Sequence, residues 1–215
     1  MEERVVLITG ASGLLGRSLT ARFQADGFQV LAQFHRHAGK IGGGVRWLHG
    51  DLSTPEGVGD FLKNHRASLM KCRYLVNNYG PLTPKPTRQL AARDFRDDLQ
   101  CQFLSAVEIT RSLIAKGGLR AMVNIGFGFA GRIKPYREIL SYAVAKNALL
   151  LFTKSLAREY PAIRCNMVSF HSLKGARYSA PLGASPKPTS VTPDKVSAKV
   201  ARILLGKVSG RHFHI

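Results

Sequence analysis

Near its start the chain reads Val5-Val6-Leu7-Ile8-Thr9-Gly10-Ala11-Ser12-Gly13-Leu14-Leu15-Gly16, where a β-branched apolar run leads into a glycine-rich turn. A segment of helical period follows the turn. Glycines at such a turn let backbone N–H groups and a helix N-terminus approach a pyrophosphate closely. We therefore predict a dinucleotide site, and the alternative is a tight turn that binds nothing. The candidate contacts are Gly10, Ser12, Leu14, Leu15 and Gly16.

Apolar runs and helical segments alternate along the rest of the chain, a pattern of βαβ units that predicts a parallel α/β sheet. With 215 residues and 45% hydrophobic side chains, the chain can bury one substantial core, so we predict a single domain over residues 1–215. Strands are predicted at Val5–Thr9, Phe28–Phe34, Val45–His49, Arg73–Asn77, Arg120–Ile125, Ile163–Ser169 and Arg211–Ile215. Helices are predicted near Leu14–Ala25, Thr54–His65, Thr87–Lys116, Ile139–Tyr160 and Pro193–Leu205.

Two of these helices have marked starts, and one connection is unusually long. Ser53-Thr54-Pro55-Glu56 has the pattern of a capping box, and Thr192-Pro193 pairs a cap with an early proline. From His171 to Val191 the chain is rich in Gly, Pro and Ser and shows no clear period. So long an irregular segment is typical of either a functional lid or a disordered loop, and both interpretations stay open.

The remaining composition favours a soluble, cytoplasmic protein. No stretch approaches the roughly 18 apolar residues of a membrane span, and Met1-Glu2-Glu3-Arg4 lacks the pattern of a secretory leader. Cys72, Cys101 and Cys165 are odd in number and widely spaced, which fits neither a disulfide framework nor a zinc site. We expect buried, unpaired cysteines, no metal and no membrane contact.

The formal charge of +19 is unevenly distributed. Residues 1–111 contain 15 Lys/Arg and 10 Asp/Glu, whereas residues 112–215 contain 17 and 3. One interpretation is a solvated basic surface, and the other is an acidic substrate or partner that approaches the C-terminal half. No zinc-finger, RRM or helix-turn-helix signature accompanies the charge, so nucleic acid is not the predicted partner.

The end of the second predicted strand indicates which dinucleotide binds. This position usually faces the adenosine ribose, where an acidic residue favours a free 2′-hydroxyl. The chain instead has His35 and Arg36, and a guanidinium there pairs well with a 2′-phosphate. We therefore predict NADP(H) in preference to NAD(H), with a merely solvated Arg36 as the alternative. Asp51 and Leu52, just past the third strand, are expected near the adenine.

Four motifs in order make the chain resemble the short-chain dehydrogenase/reductase family over nearly its whole length. They are the glycine turn, Asp51, Asn77-Asn78-Tyr79-Gly80 and Tyr142-x-x-x-Lys146. The resemblance implies a Rossmann-type, doubly wound parallel sheet of about seven strands with helices on both faces, and NAD(P) across the C-terminal strand edge. It also implies a homodimer or homotetramer. Asn78, Tyr79 and Gly80 would then belong to the cofactor site, and Lys146 would hold the nicotinamide ribose.

Tyr142 and Lys146 are four residues apart, so on a helix they share one face. A nearby ammonium favours phenolate, and we therefore expect a lowered tyrosine pKa and a role for Tyr142 as acid or base. A surface pair that arose by chance is the alternative. The resemblance places Gln102 where the family has an asparagine that helps to hold a proton-relay water, so Tyr142, Lys146 and Gln102 are the catalytic candidates.

The chain also departs from the family it resembles. The family's serine after strand five is replaced by Gly126-Phe127-Gly128-Phe129, which offers no hydroxyl. Its Pro-Gly after strand six is replaced by Phe170-His171, and the glycine turn reads TGxxGxxG. His171 lies where strand six should end, so it is either a donor to a substrate oxygen or a histidine satisfied in a loop.

Two functions follow from this pattern. The first is an NADPH-dependent oxidoreductase that reduces the carbonyl group of a small or carrier-bound, acidic substrate. The second is a catalytically degenerate member of the family, which binds NADP(H) as a structural or regulatory ligand. The missing serine separates the two, because it removes a donor to the substrate oxygen.

Overall fold

The computed structural model describes residues 4–39, 42–128, 130–131, 137–176 and 190–215. Its strands follow the apolar runs closely, usually one residue shorter at an end than the pattern predicts. They are β1 (Val5–Ile8), β2 (Gln29–Phe34), β3 (Val45–His49), β4 (Tyr74–Asn77), β5 (Ala121–Ile125), β6 (Arg164–Ser169), β7 (Ser172–Leu173), β8 (Ser190–Val191) and β9 (His212–His214).

Seven of these strands form one parallel sheet in the order β3-β2-β1-β4-β5-β6-β9. The chain moves outward from β1 to β3 and then returns to place β4 on the other side of β1. Doubly wound sheets open a crevice at this reversal, outside the carboxyl ends of the strands. The predicted Rossmann-type α/β fold is confirmed.

Helices cover both faces of the sheet, as predicted. On one face α1 and α7 pack together over a core that includes Val6 and Ile8 of β1, and on the other face the core contains Val5 and Leu7. Burial on both faces explains why β1 is continuously apolar rather than alternating. The helices are α1 (Leu14–Ala25), α2 (Pro55–Asn64), α3 (Arg66–Leu69), α4 (Ala92–Leu99), α5 (Ser105–Ala115), α6 (Leu140–Glu159) and α7 (Pro193–Leu205).

The single helix predicted over Thr87–Lys116 is wrong. A short 3₁₀ turn at Thr87–Gln89 precedes α4, and a π-helical turn at Gln100–Leu104 separates α4 from α5. The helix restarts at Ala92 because the Asp94 carboxylate accepts a hydrogen bond from the backbone N–H of Ala91 (2.7 Å). The same carboxylate is paired with Lys85 Nζ at 2.8 Å.

The predicted capping box of α2 is also wrong in its register. Thr54, not Ser53, caps the helix, because its hydroxyl accepts from the backbone N–H of Gly57 at 3.0 Å. The Ser53 hydroxyl instead donates to Asp51 Oδ1 at 2.7 Å. The cap at Thr192 is confirmed, since Thr192 Oγ1 accepts from Lys195 N at 3.3 Å.

Three remaining expectations concern burial and connections. Cys72, Cys101 and Cys165 are free and buried, as predicted. In the segment from His171 to Val191, β7 and β8 pair in parallel, while residues 177–189 lie outside the described part of the chain, so the choice between lid and disorder is not tested. None of the helices in the described residues is both long and apolar enough to cross a membrane.

Candidate functional site

The glycine turn after β1 is held in a conformation that requires glycine. Gly10 has a φ of +63°, a region that side chains disfavour, and its N–H donates to Gln33 Oε1 at 2.7 Å. A Cβ at Gly16 would lie 2.2 Å from the carbonyl oxygen of Gly10. The turn therefore brings α1 against the end of β1 more closely than any other residue would permit.

The N-terminus of α1 fits a pyrophosphate. Gly13 is its N-cap and supplies no side-chain hydrogen bond to the first turn. Ser12, Gly13, Leu14 and Leu15 all line the adjacent cavity. First-turn N–H groups without an internal partner, at the positive end of a helix dipole, form an anion site, so these residues fit a dinucleotide phosphate.

The segment after β4 closes the other side of the turn. Asn78 Nδ2 donates to the carbonyl oxygens of Thr9 (2.9 Å) and Gly10 (3.1 Å). Thr9 Oγ1 accepts from the backbone N–H groups of Asn78 (2.9 Å) and Tyr79 (3.0 Å). Asn78, Tyr79 and Gly80 also line the cavity, and the bonded Asn78 amide fixes the shape of its wall.

Two of the four residues predicted at the adenosine end line the cavity, and two do not. His35 and Arg36 line the cavity, whereas Asp51 and Leu52 do not. Leu52 is buried in the core beneath the sheet edge, and Asp51 Oδ2 lies 3.7 Å from His35 Nε2. Burial raises the pKa of the Asp51 carboxyl, but hydrogen bonds from Ser53 and the charge of His35 outweigh it and lower that pKa below its usual value.

One cavity of about 790 Å³ connects these residues with the predicted catalytic pair. It extends from the glycine turn and Arg36 to Tyr142 and Lys146 on α6, and His171 forms part of the wall. A cavity of this size lies within the usual range for small-molecule and cofactor sites. The topology therefore gathers residues more than 130 positions apart in sequence into one crevice at the carboxyl edge of the sheet.

Lys146 is buried, and its ammonium is fixed by the backbone. Lys146 Nζ donates to the carbonyl oxygen of Ile125 at 2.9 Å and lies 5.7 Å from the centre of the Tyr142 ring. Burial lowers the pKa of Lys146 to about 8, against the opposing charge of Asp98.

The predicted lowering of the tyrosine pKa is not found. Burial, with a smaller contribution from the negative charge of Asp98, instead raises the pKa of Tyr142 above its ordinary value. The shift follows from the cost of placing a charged phenolate where water is excluded.

Gln102 and Lys146 meet beneath Gly80. Gln102 Nε2 donates to the carbonyl oxygen of Pro81, while Gln102 Oε1 is buried without a hydrogen-bond partner. A Cβ at Gly80 would lie 2.1 Å from Gln102 Oε1 and 3.2 Å from Lys146 Nζ. Gln102 is buried and does not itself line the cavity.

The end of β5, where the resemblance implies a serine, presents an aromatic ring instead. Phe127 is buried and packs edge to face against Tyr142, with ring centroids 5.7 Å apart. It lines the cavity beside Gly126, so the end of β5 presents a ring and glycine backbone to the crevice. A substrate oxygen near Tyr142 would receive no side-chain hydrogen bond from this segment.

Sequence reasoning missed Asp98. Its carboxylate accepts a hydrogen bond from Ser141 Oγ at 2.5 Å, and Ser141 directly precedes Tyr142. Burial raises the pKa of Asp98, and its charge acts on both Tyr142 and Lys146. Its spacing of four residues from Gln102 is a signal that could have indicated it, but the π-helical turn that contains Gln102 interrupts the regular helix there.

The fold and the cavity are those of a Rossmann-type nucleotide-binding protein, and comparison with known proteins gives the family. The chain belongs to the short chain dehydrogenase family, whose model matches residues 4–176. Members of this family are oxidoreductases that use a nicotinamide cofactor.

Two relatives illustrate the sequence similarity. The 3-oxoacyl-(acyl-carrier-protein) reductase FabG of Salmonella typhimurium is 26% identical over 172 residues, which cover 74% of this chain and 68% of the reductase. The NADPH-dependent 1-acyldihydroxyacetone phosphate reductase of Schizosaccharomyces pombe is 28% identical over 166 residues, which cover 73% of this chain and 55% of that protein.

Solved structures share the whole fold. A short chain dehydrogenase from Leptospira borgpetersenii with bound NAD+ has a TM-score of 0.84 at 18% identity, and the match covers 100% of this chain and 92% of that one. An oxidoreductase of the same family from Burkholderia thailandensis has a TM-score of 0.80 at 25% identity, with the same two coverages.

Proposed function

We propose that this protein is an NADPH-dependent reductase that converts the carbonyl group of a small or carrier-bound substrate to an alcohol. The observation that carries the proposal is the single cavity, which joins the glycine turn and Arg36 at one end to Tyr142 and Lys146 at the other. A phosphate-binding turn and a proton-donating phenol on one crevice are what nicotinamide-dependent reduction needs.

Tyr142 is the proton donor in this proposal. The reduced nicotinamide, when bound, supplies a hydride to the carbonyl carbon. The Tyr142 phenol gives its proton to the carbonyl oxygen, so the product is an alcohol. The Tyr142 phenol is protonated at neutral pH, which is the form that reduction requires, and burial raises its pKa further.

Lys146 and Gln102 support that proton transfer. Lys146 would bind the nicotinamide ribose and reprotonate the phenolate, since its pKa of about 8 lies near the working pH. The unpartnered Gln102 Oε1 faces the lysine from beneath Gly80 and is suited to accept a hydrogen bond from a relay water or from the ammonium.

Arg36 supports NADP(H) over NAD(H). It lines the cavity beyond β2, whereas Asp51 lies beside His35 and does not line the cavity. The relatives differ on this point: the yeast reductase is named NADPH-dependent, and the Leptospira structure holds NAD+. The choice for this chain rests on Arg36.

The proposed substrate and assembly rest on the charge distribution and on an exposed apolar face of α6. The Salmonella relative is named as a reductase of an oxoacyl group on an acyl carrier protein, and the basic C-terminal half of this chain suits a substrate or carrier that is negatively charged. Val144 and Leu151 on α6 are 44% and 69% exposed. A second copy of the chain would bury this apolar face, so the exposure supports a homodimer or homotetramer. Sedimentation velocity would test the assembly, and a monomer would contradict it.

The second candidate function is nucleotide binding without catalysis, and Phe127 favours it. Its ring packs on Tyr142 and fills the place from which a hydroxyl would reach the substrate oxygen. In this case NADPH binds, but no carbonyl compound is reduced.

The test is a panel of aldehydes, ketones, pterins and acyl thioesters, with NADPH oxidation followed by absorbance. We expect turnover of at least one compound and a loss of about two to four decades in Tyr142→Phe, with NADPH affinity nearly unchanged. An active protein that is indifferent to Tyr142→Phe would show that the acid is a different residue. No turnover across the panel would favour the binding-only function.

A further inference from the structure

The loops after β5 and β6 contact each other at two matched points. A Cβ at Gly126 would lie 2.3 Å from Ser169 Oγ, and a Cβ at Gly128 would lie 2.5 Å from His171 Nδ1. In each case a side chain at or just after the end of β6 occupies the space that a side chain after β5 would need. The two glycines are two residues apart, and so are Ser169 and His171.

Ser169 anchors the first of these contacts. It is fully buried, and its Oγ lies 2.7 Å from His212 Nε2 on the neighbouring strand β9. This bond fixes the chain where it leaves β6, two residues before His171. His171 therefore leaves a rigid strand end, which is the kind of support that a precisely placed polar group requires.

Phe127, between the two glycines, fills space with its side chain where the glycines leave space open. Phe127 directs its ring at Tyr142, while the glycine at 128 leaves room for the His171 imidazole. Tyr142, Phe127 and His171 all line the cavity. The segment Gly126-Phe127-Gly128 thus offers no side-chain hydroxyl on the β5 side of the crevice, and it leaves room for an imidazole on the β6 side.

We propose that His171 is a catalytic residue whose imidazole donates a hydrogen bond to the substrate carbonyl oxygen. An imidazole N–H is a competent donor at neutral pH. This inference rests on the proposed reductase function, in which Tyr142 delivers the proton and a second donor stabilises the negative charge that develops on the oxygen.

The experiment compares His171→Leu with His171→Gln in the full-length protein, using whichever carbonyl substrate the panel identifies. We expect His171→Leu to lower kcat about 100-fold, the usual effect of losing one preorganised donor. His171→Gln keeps an N–H donor and should retain activity to within about tenfold of the unaltered protein. NADPH affinity, measured by fluorescence titration, should stay within a factor of about two in both variants, because the donor acts on the substrate.

Gly128→Ala is a second, independent probe. It removes no donor, and the backbone at Gly128 is compatible with alanine, but the new Cβ would lie 2.5 Å from Nδ1 and 3.0 Å from Cα of His171 and so would displace that residue. We expect Gly128→Ala to lower kcat, as His171→Leu does. Combining the two changes should cause little further loss, because both act through one group. Additive losses would overturn the proposal.

Ser172 is the competing donor. It also lines the cavity, and its hydroxyl is buried without a hydrogen-bond partner. If Ser172→Ala abolishes turnover while His171→Leu does not, Ser172 holds the role and the proposal for His171 is wrong.

The outcomes separate this inference from the proposed function. An active protein in which His171→Leu changes kcat less than about threefold overturns the donor role and leaves the reductase function standing. Equal losses in His171→Leu and His171→Gln, or a parallel loss of NADPH affinity, would show a structural role and also overturn it. If the unaltered protein reduces no compound in the panel, the reductase function fails and the donor role falls with it.

Discussion

At the scale of single residues, burial governs the chemistry of the site more than charge does. Tyr142 and Lys146 face the same crevice, yet the pKa of the phenol is raised and that of the ammonium is lowered. Both shifts favour the neutral form, as expected where low-dielectric surroundings penalise any charge. The two shifts therefore share one main cause, the burial of both groups.

The lowered pKa of Lys146 predicts a pH-dependent cost to stability. The pKa of Lys146 falls from 10.5 to about 8 on folding. Between these two pH values the unfolded chain binds more protons than the folded one, so the free energy of unfolding increases as the pH rises. The Lys146→Met variant has no titrating group at this position, so it lacks this pH-dependent contribution to stability. We expect the variant to be more stable near pH 7 by up to about 3 kcal/mol, and this advantage to shrink as pH rises from 8 to 10.5.

Urea denaturation of both proteins across that range would measure the difference. Cys72, Cys101 and Cys165, whose thiol pKa values are raised by burial, act in the opposite sense but equally in both proteins, so they cancel. A difference in stability that does not change with pH would show that Lys146 keeps its ordinary pKa.

Arg36 carries the prediction of cofactor choice. A charge-assisted hydrogen bond to a phosphate contributes roughly 1.5–3 kcal/mol, or about one to two decades in affinity. Titration should therefore show tighter binding of NADPH than NADH, and Arg36→Glu should erase or invert the preference. Arg46 on β3 is exposed and does not line the cavity, so Arg46→Glu is the matched control and should leave the ratio unchanged. Equal affinities in the unaltered protein would contradict the assignment.

At the scale of elements, the β1–α1 turn depends on glycine at a position where helices usually tolerate alanine. Gly16 and Gly59 both lie inside helices, but a Cβ at Gly16 would meet the Gly10 carbonyl at 2.2 Å, whereas one at Gly59 would meet nothing within 4 Å. We expect Gly16→Ala to destabilise the fold by about 1–3 kcal/mol through overpacking and to abolish NADPH binding. Gly59→Ala should stabilise by roughly 0.5–1 kcal/mol and bind normally.

Thermal unfolding and fluorescence titration would measure both variants. Normal NADPH binding by Gly16→Ala would show that the turn can relax, and that its geometry is not what positions the phosphate.

The bounds of some helices and strands could be predicted from the sequence, and those of others could not. β3 and α1 match their predicted bounds, because apolar periodicity and turn residues mark them locally. The break at Leu90–Ala91 and the π-helical turn at Gln100–Leu104 were not predictable, since they arise from Asp94 bonding and from packing against α6. Asp98 was missed for the same reason. The side chain of Leu52 is buried in the core, and strand-end position alone does not say which way a side chain points.

At the scale of the whole molecule, the charge asymmetry bears on the choice of substrate. Residues 112–215 hold 17 basic and 3 acidic side chains, and this half supplies Tyr142, Lys146 and His171 to the cavity. A field of one sign around a crevice accelerates the approach of an oppositely charged partner, and salt screens that effect.

If the natural substrate is carried on an acidic protein, its kcat/KM should fall at least tenfold between about 50 and 500 mM salt, because the Debye length shortens from about 14 to about 4 Å. The same oxoacyl group on a small neutral thioester is the matched control and should change less than about twofold, since it has no net charge to be steered. Steady-state kinetics with both substrates at four salt concentrations would make the comparison. Parallel salt profiles would mean that the basic half does not recruit the substrate, and that the excess charge is a property of the solvated surface.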